Sequence, residues 1–101
     1  MMAVGYPDWS RGVITSAPNM EQKYVTVTDS ETVVTFAQVV KSFLIYNAGN
    51  YNVYFSPTSG VTTQNFKIPS SAWYAADYQT DKLYFICDSG ESTVLYIVAV
   101  Y

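Results

Sequence analysis

Eight carboxylates, one cysteine and a short aromatic cluster carry whatever site chemistry this 101-residue chain holds. It has no histidine, which removes the commonest general base and the commonest metal ligand together. A Ser-His-Asp or Cys-His arrangement is therefore excluded. Acid–base work by paired carboxylates would need two of Asp8, Asp29, Asp77, Asp81, Asp88, Glu21, Glu31 and Glu91 to converge in a cleft. Most of them fall in turn-like segments, where such side chains bond the local backbone instead. The stretch DSGES, Asp88 to Ser92, gathers oxygens but lacks the ligand spacing of a calcium loop, and reads as a β-turn. Cys87, inside YFIC, reads as a small buried hydrophobe. As the sole cysteine it can form neither an internal disulfide nor a multi-cysteine zinc site. No glycine-rich phosphate loop opens a helix. These residues point to no cofactor, no metal and no enzymatic activity. What remains is Trp73, Tyr74 and Tyr78, whose rings near Asn, Gln and Asp side chains suit either stacking on sugars or contact with core or subunit.

The elements that must position these residues are strands. KYVTVTD sets Val25 and Val27 on one face and Thr26 and Thr28 on the other, the period-2 pattern of a half-buried strand. DSE then reads as a turn and TVVTFA resumes with Val34 and Phe36 on one side, which predicts a β-hairpin. KSFLIYN is apolar on both faces. In YNAGNYNVYFSPTSGVT, Asn47 and Gly49 supply a reversal, Val53 and Phe55 face a core with Tyr54 outward, and Pro57 and Gly60 end the strand. FKIP, AWYAADY, KLYFICD and TVLYIVAVY follow. The closing segment has Val94, Tyr96, Val98 and Val100 on one face and Leu95, Ile97, Ala99 and Tyr101 on the other. With no charge to protect it, it belongs inside a sheet with partial cover from a neighbour. The expectation is all-β: a single β-sandwich or jelly-roll-like domain of about seven to eight strands over residues 22–101. Residues 1–21, broken by GYPDW, SRG and SAPNM, read as an extended N-terminal arm. Tyr6, Trp9, Arg11, Val13 and Ile14 would give that arm its protein contacts, on its own domain or on a neighbouring subunit.

Composition narrows the partners. A chain of this length hides only about 60 to 65% of its unfolded surface. Yet half its residues are hydrophobic and 17% aromatic, while only 13% are charged, against roughly 25% in an ordinary domain. The surplus, including ten tyrosines, predicts burial between subunits, hence a homo-oligomer. The five cations, Arg11, Lys23, Lys41, Lys67 and Lys82, are scattered singly and the net charge is −3, which argues against nucleic acid. No apolar run approaches the ~20 residues of a membrane-spanning helix, and no charged-then-apolar leader opens the chain. Synthesis in a cytoplasm is the expectation.

From Ser42 to Val100 the chain resembles small tailed-bacteriophage virion proteins: a strand, an Asn-x-Gly turn, a Val-Tyr strand, an SGVT connector, an Asn-containing turn before Pro, an LY-x-I strand and a closing hydrophobic strand. The matching residues are Ile45, Asn47, Gly49, Val53, Tyr54, Ser59 to Thr62, Asn65, Pro69, Leu83, Tyr84 and Ile86. YPDWSR, Tyr6 to Arg11, is similar to an N-terminal signature of some members. The chain departs from the pattern after Pro69, where SSAWYAADYQ replaces an acidic, glycine-containing turn. The resemblance implies a non-enzymatic structural subunit of the virion that contacts copies of itself and the major capsid or other virion proteins. Capsid decoration, head-fibre base and small tail or adaptor component are the roles it leaves open.

Overall fold

Alternation of β-branched and aromatic residues with polar ones is realised along almost the whole described chain. The structure, a computed structural model, describes residues 19–101 and holds eight strands. They are β1 (Met20–Val27), β2 (Thr32–Val40), β3 (Ser42–Asn47), β4 (Val53–Ser56), β5 (Phe66–Ile68), β6 (Trp73–Ala76), β7 (Thr80–Ile86) and β8 (Thr93–Val100). The segment TFAQVVKSF, rich in the β-branched and aromatic residues that stiffen χ1, runs from β2 into β3 through a bend at Lys41, with a register shift between Thr35 and Val40.

Two four-stranded antiparallel sheets result, β1-β8-β3-β6 and β2-β7-β4-β5. The pairing is nested: β4 with β5, β3 with β6, β2 with β7 and β1 with β8. The chain is thus one long antiparallel ribbon folded at the β4–β5 turn and coiled so that successive pairs alternate between sheets. That is jelly-roll connectivity, and it meets the sandwich expectation.

The hairpin expected between β1 and β2 does not form. Each lies in a different sheet and pairs with a strand forty or more positions away. The physical reason lies in the DSE corner, which bonds other loops rather than closing on itself. Asp29 Oδ2 accepts the Gly90 N–H at 2.9 Å, and Thr28 O accepts the Cys87 N–H at 2.9 Å. Glu31 accepts the N–H groups of Gly60 and Val61 at 2.7 and 3.0 Å and the Ser59 hydroxyl at 3.1 Å. Those backbone donors hold the Glu31 carboxyl below its ordinary pKa of 4.5. A lowered folded pKa stabilises the protein above the unfolded pKa and loses that contribution as pH falls through the folded value. Glu31→Gln is therefore expected to lower the melting temperature at pH 7, with the gap to the native protein closing below about pH 4. A gap of constant size across an acid melting series would contradict this.

The core fills the space between the sheets. Leu95, Ile97 and Ala99 of β8 face inward with Phe43 and Ile45 of β3, meeting Val53 and Phe55 of β4, Leu83 and Phe85 of β7 and Val34 and Phe36 of β2. Phe55 is the aromatic hub, its ring centroid 5.9 Å from Phe43 and 5.7 Å from both Phe85 and Tyr74. β8 lies between β1 and β3, so the unprotected closing strand has both its edges paired. Edge strand β1 carries inward-pointing charges, a device that discourages further strand addition. Glu21 pairs with Lys23 at 2.9 Å, and its Oε1 accepts the Ala37 N–H of β2 at 3.0 Å. The Ala37 bond first, and Lys23 next, hold the Glu21 carboxyl below its ordinary value.

Candidate assembly surface

Inward placement of one residue in two leaves the alternate positions of β1-β8-β3-β6 on the outer face. The registers Tyr24↔Tyr96, Tyr96↔Tyr46 and Tyr46↔Trp73 set four aromatic side chains in a single cross-strand row. With strands about 4.8 Å apart the row spans roughly 14 Å. Its members are exposed: Tyr24 by 62%, Tyr96 by 52%, Tyr46 by 37% and Trp73 by 68%. Tyr24 and Tyr96 already touch, centroids 4.9 Å apart at 55°. Such cross-strand aromatic pairs contribute about 0.2–1 kcal/mol each to the sheet.

Two residues along each strand lies a second row, Gln22, Val98, Leu44 and Ala75, and beyond it Met20, Val100 and Ser42. Because Ala75 and Ser42 are small, this half of the face sinks into an apolar hollow of about 320 Å³, also lined by Met20, Leu44, Val98 and Val100, with Asp77 at its rim. No outward position of the four strands carries a charge. The outer face of the other sheet is different in kind. There Lys82 lies opposite Thr35 and Lys67 opposite Tyr54, and the Tyr54 hydroxyl donates to Asp88 Oδ2 at 3.1 Å. Burial first, and Asp88 next, raise the Tyr54 pKa.

The aromatic trio expected from the sequence is divided by the pleat of β6. Trp73 stands on the outer face, whereas Tyr74 turns toward the core, its ring 6.5 Å from Phe43, 5.7 Å from Phe55 and 4.6 Å from the exposed Phe66. Tyr78, 47% exposed, lies in the link 77–79 between β6 and β7. One member of the trio thus joins Tyr24, Tyr46 and Tyr96, three residues that the sequence reading did not single out. Their signal is parity: each alternates with core residues of its own strand. The arm residues Tyr6, Trp9, Arg11, Val13 and Ile14 lie outside the described residues.

Most groups with chemical reactivity lie away from this face, Asp77 at the hollow excepted. Cys87 is buried, donates to Val27 O at 3.5 Å, and burial, with Glu91 and Asp88 adding to it, pushes its thiol up to about 11. It is a protonated core residue at neutral pH. Asp29, Glu31 and Glu21 tie loops and strands together as described, Asp88 accepts from Tyr54, and Asp81 lies 3.6 Å from Lys82. Among the described residues no three of His, Cys, Asp and Glu are grouped so as to hold a metal ion. Among the described residues no helix is long and apolar enough to cross a membrane.

No family model matches the chain, and no curated protein matches it. Solved structures do. The chain is similar to a transcriptional regulator of the HTH_3 family from Vibrio cholerae, at TM-score 0.55 and 9% identity, over 81% of this chain and 43% of the regulator. It is similar to a cupin domain from Bordetella pertussis at TM-score 0.53 and 8% identity, over 81% of each chain. It also matches the Fe(II) form of HppE at TM-score 0.54 and 10% identity, over 83% of this chain and 44% of HppE. At these identities the likeness is one of fold, and it agrees with the jelly-roll connectivity. An iron site does not fit the residues present: the chain has no histidine, and its sandwich interior is packed with Phe, Leu, Ile and Val.

Proposed function

We propose that this chain is a non-enzymatic virion structural protein of a tailed phage, a capsid decoration or head-fibre-base subunit, that docks through the outer face of β1-β8-β3-β6. The observation that carries this reading is the charge-free face itself, with its row Tyr24, Tyr96, Tyr46 and Trp73. Monomers rarely leave a contiguous apolar patch above about 300–600 Å². Burying such a patch against another protein supplies about 25 cal/mol per Å² of apolar surface. The resemblance of residues 42–100 to virion proteins supplies the setting, and a role as a small tail or neck adaptor would use the same face. Asp29 and Glu31, bound to neighbouring loops, and a buried, protonated thiol are consistent with a non-enzymatic role. The location that follows is the assembled virion, after synthesis in the host cytoplasm.

A second reading draws on the same row. Exposed rings in line across roughly 14 Å also suit a carbohydrate, and the chain would then be a glycan-binding β-sandwich module. The double variant Tyr24→Ala/Trp73→Ala separates the two, since both side chains stand at the exposed ends of the row and leave the core intact. Under the assembly reading its incorporation into particles falls several-fold, with a melting temperature lowered by no more than about 8 °C through loss of the Tyr24–Tyr96 contact, and no retention of either protein on immobilised glycans. Glycan retention by the native chain that the variant loses, with incorporation unaltered, would establish the second reading instead.

A further inference from the structure

We propose that two copies of this chain pack outer face to outer face, about a two-fold axis running across the strands between the aromatic row and the hollow, so that each row seats in the other's hollow. This rests on the reading of that face as an assembly surface and names its partner.

Charge is the first ground. Each copy has a net charge of −3, so identical copies repel wherever charged surfaces meet. The outward positions of β1-β8-β3-β6 carry none, while the opposite sheet presents Lys67 and Lys82. A partner recognised by its own acidic or basic groups would require countercharges here. This face instead requires an uncharged apolar surface of the same kind, which a second copy presents.

Area is the second. Large side chains offer roughly 150–250 Å² apiece. With the exposures of Tyr24, Tyr96, Tyr46, Trp73 and Met20, these five alone present on the order of 400–700 Å². The half-buried Leu44, Val94 and Val98 between them bring the face to about the 800 Å² per partner of a standard interface.

Shape is the third. A protruding row and a hollow sit on one face, offset along the strands by about two residues, roughly 7 Å. A surface that carries both a projection and its recess is what an isologous contact needs, because the two-fold brings each projection over the other recess. The axis keeps β6 over β6. Trp73 then lies above the recess made by Ala75. Two four-stranded sheets would stack at about 10 Å, as sheets do within a sandwich.

Sedimentation velocity of the full chain over a micromolar concentration series tests this, with Tyr96→Lys, Ala75→Trp and Val33→Lys alongside. Tyr96→Lys sets a charge in the centre of the face, Ala75→Trp fills the hollow, and Val33→Lys alters an exposed position on the other sheet. The native chain and Val33→Lys should sediment at twice 11.3 kDa. The other two should dissociate at concentrations higher by on the order of 100-fold, with native circular dichroism. A native dimer that neither variant weakens overturns both the self-pairing and the use of this face. A native chain that stays monomeric, while Tyr96→Lys still loses incorporation into particles, overturns the self-pairing alone. Dimerisation only after removal of residues 1–18 likewise overturns it, by placing that segment on the face.

Discussion

Asn47→Ala is expected to destabilise the protein by about 3–5 kcal/mol, a large part of the 5–15 kcal/mol available to a domain of this size. Asn47 ends β3 with its side chain fully buried. Its amide nitrogen donates to Tyr51 O at 2.8 Å and Ile68 O at 3.0 Å, while its oxygen accepts the Gly49 N–H at 3.2 Å and the Thr93 hydroxyl at 2.6 Å. Four elements of the loop-rich end of the sandwich thus meet on one side chain. Its removal leaves several buried polar groups without a partner, each costing about 1–3 kcal/mol. Relaxation recovers some of that sum. The loss corresponds to a fall in melting temperature of roughly 15–25 °C. Thr93→Ser keeps the donor and should cost about 1 kcal/mol or less. Gly49→Ala should rank with Asn47→Ala, because an added Cβ would collide with Thr93 Oγ1 and lie 2.9 Å from the Thr93 backbone. Denaturant melts of the three variants check the ranking, and an Asn47→Ala protein within about 1 kcal/mol of native would contradict it.

This network also shows where sequence reading reaches its limit. The stretch around Asn47 and Gly49 reads as a reversal, and the chain does turn there. That Asn47 points inward was available from parity alone, since it continues the inward alternation of Phe43 and Ile45. Its partners were not, because Ile68 and Thr93 lie 21 and 46 positions away. The same distinction holds for the fold. Alternation gave away the strands, their number and their inward faces, and the interior place of β8 followed from its lack of protective charge. Pairing partners did not follow, so neighbouring β1 and β2 look like a hairpin until the DSE corner is seen bonding to the 59–61 and 90 loops. For the candidate surface, Trp73 was legible from its aromatic company. The row it joins depends on registers among four strands spread from residue 24 to residue 96, and no local pattern encodes that.

The second large effect concerns the surface. Tyr46 is one of the two inner members of the row and its least exposed, flanked by Tyr96 on one side and Trp73 on the other. Tyr46→Lys leaves the core untouched, since the position points outward, and its cost to folding stability, the loss of its contacts along the row, should stay within about 1–2 kcal/mol. Once another protein covers the face, the ammonium is buried without a partner. Such a buried charge costs about 3–5 kcal/mol, enough to weaken docking by on the order of 100-fold or more. A lysine at Val33, equally outward but on the other sheet, is the matched control.

Incorporation of tagged full-length chains into particles, measured in competition with the native chain, tests the central claim most directly. The account predicts that Tyr46→Lys is all but absent from purified particles while Val33→Lys is incorporated like the native chain. Equal incorporation of both variants would contradict it.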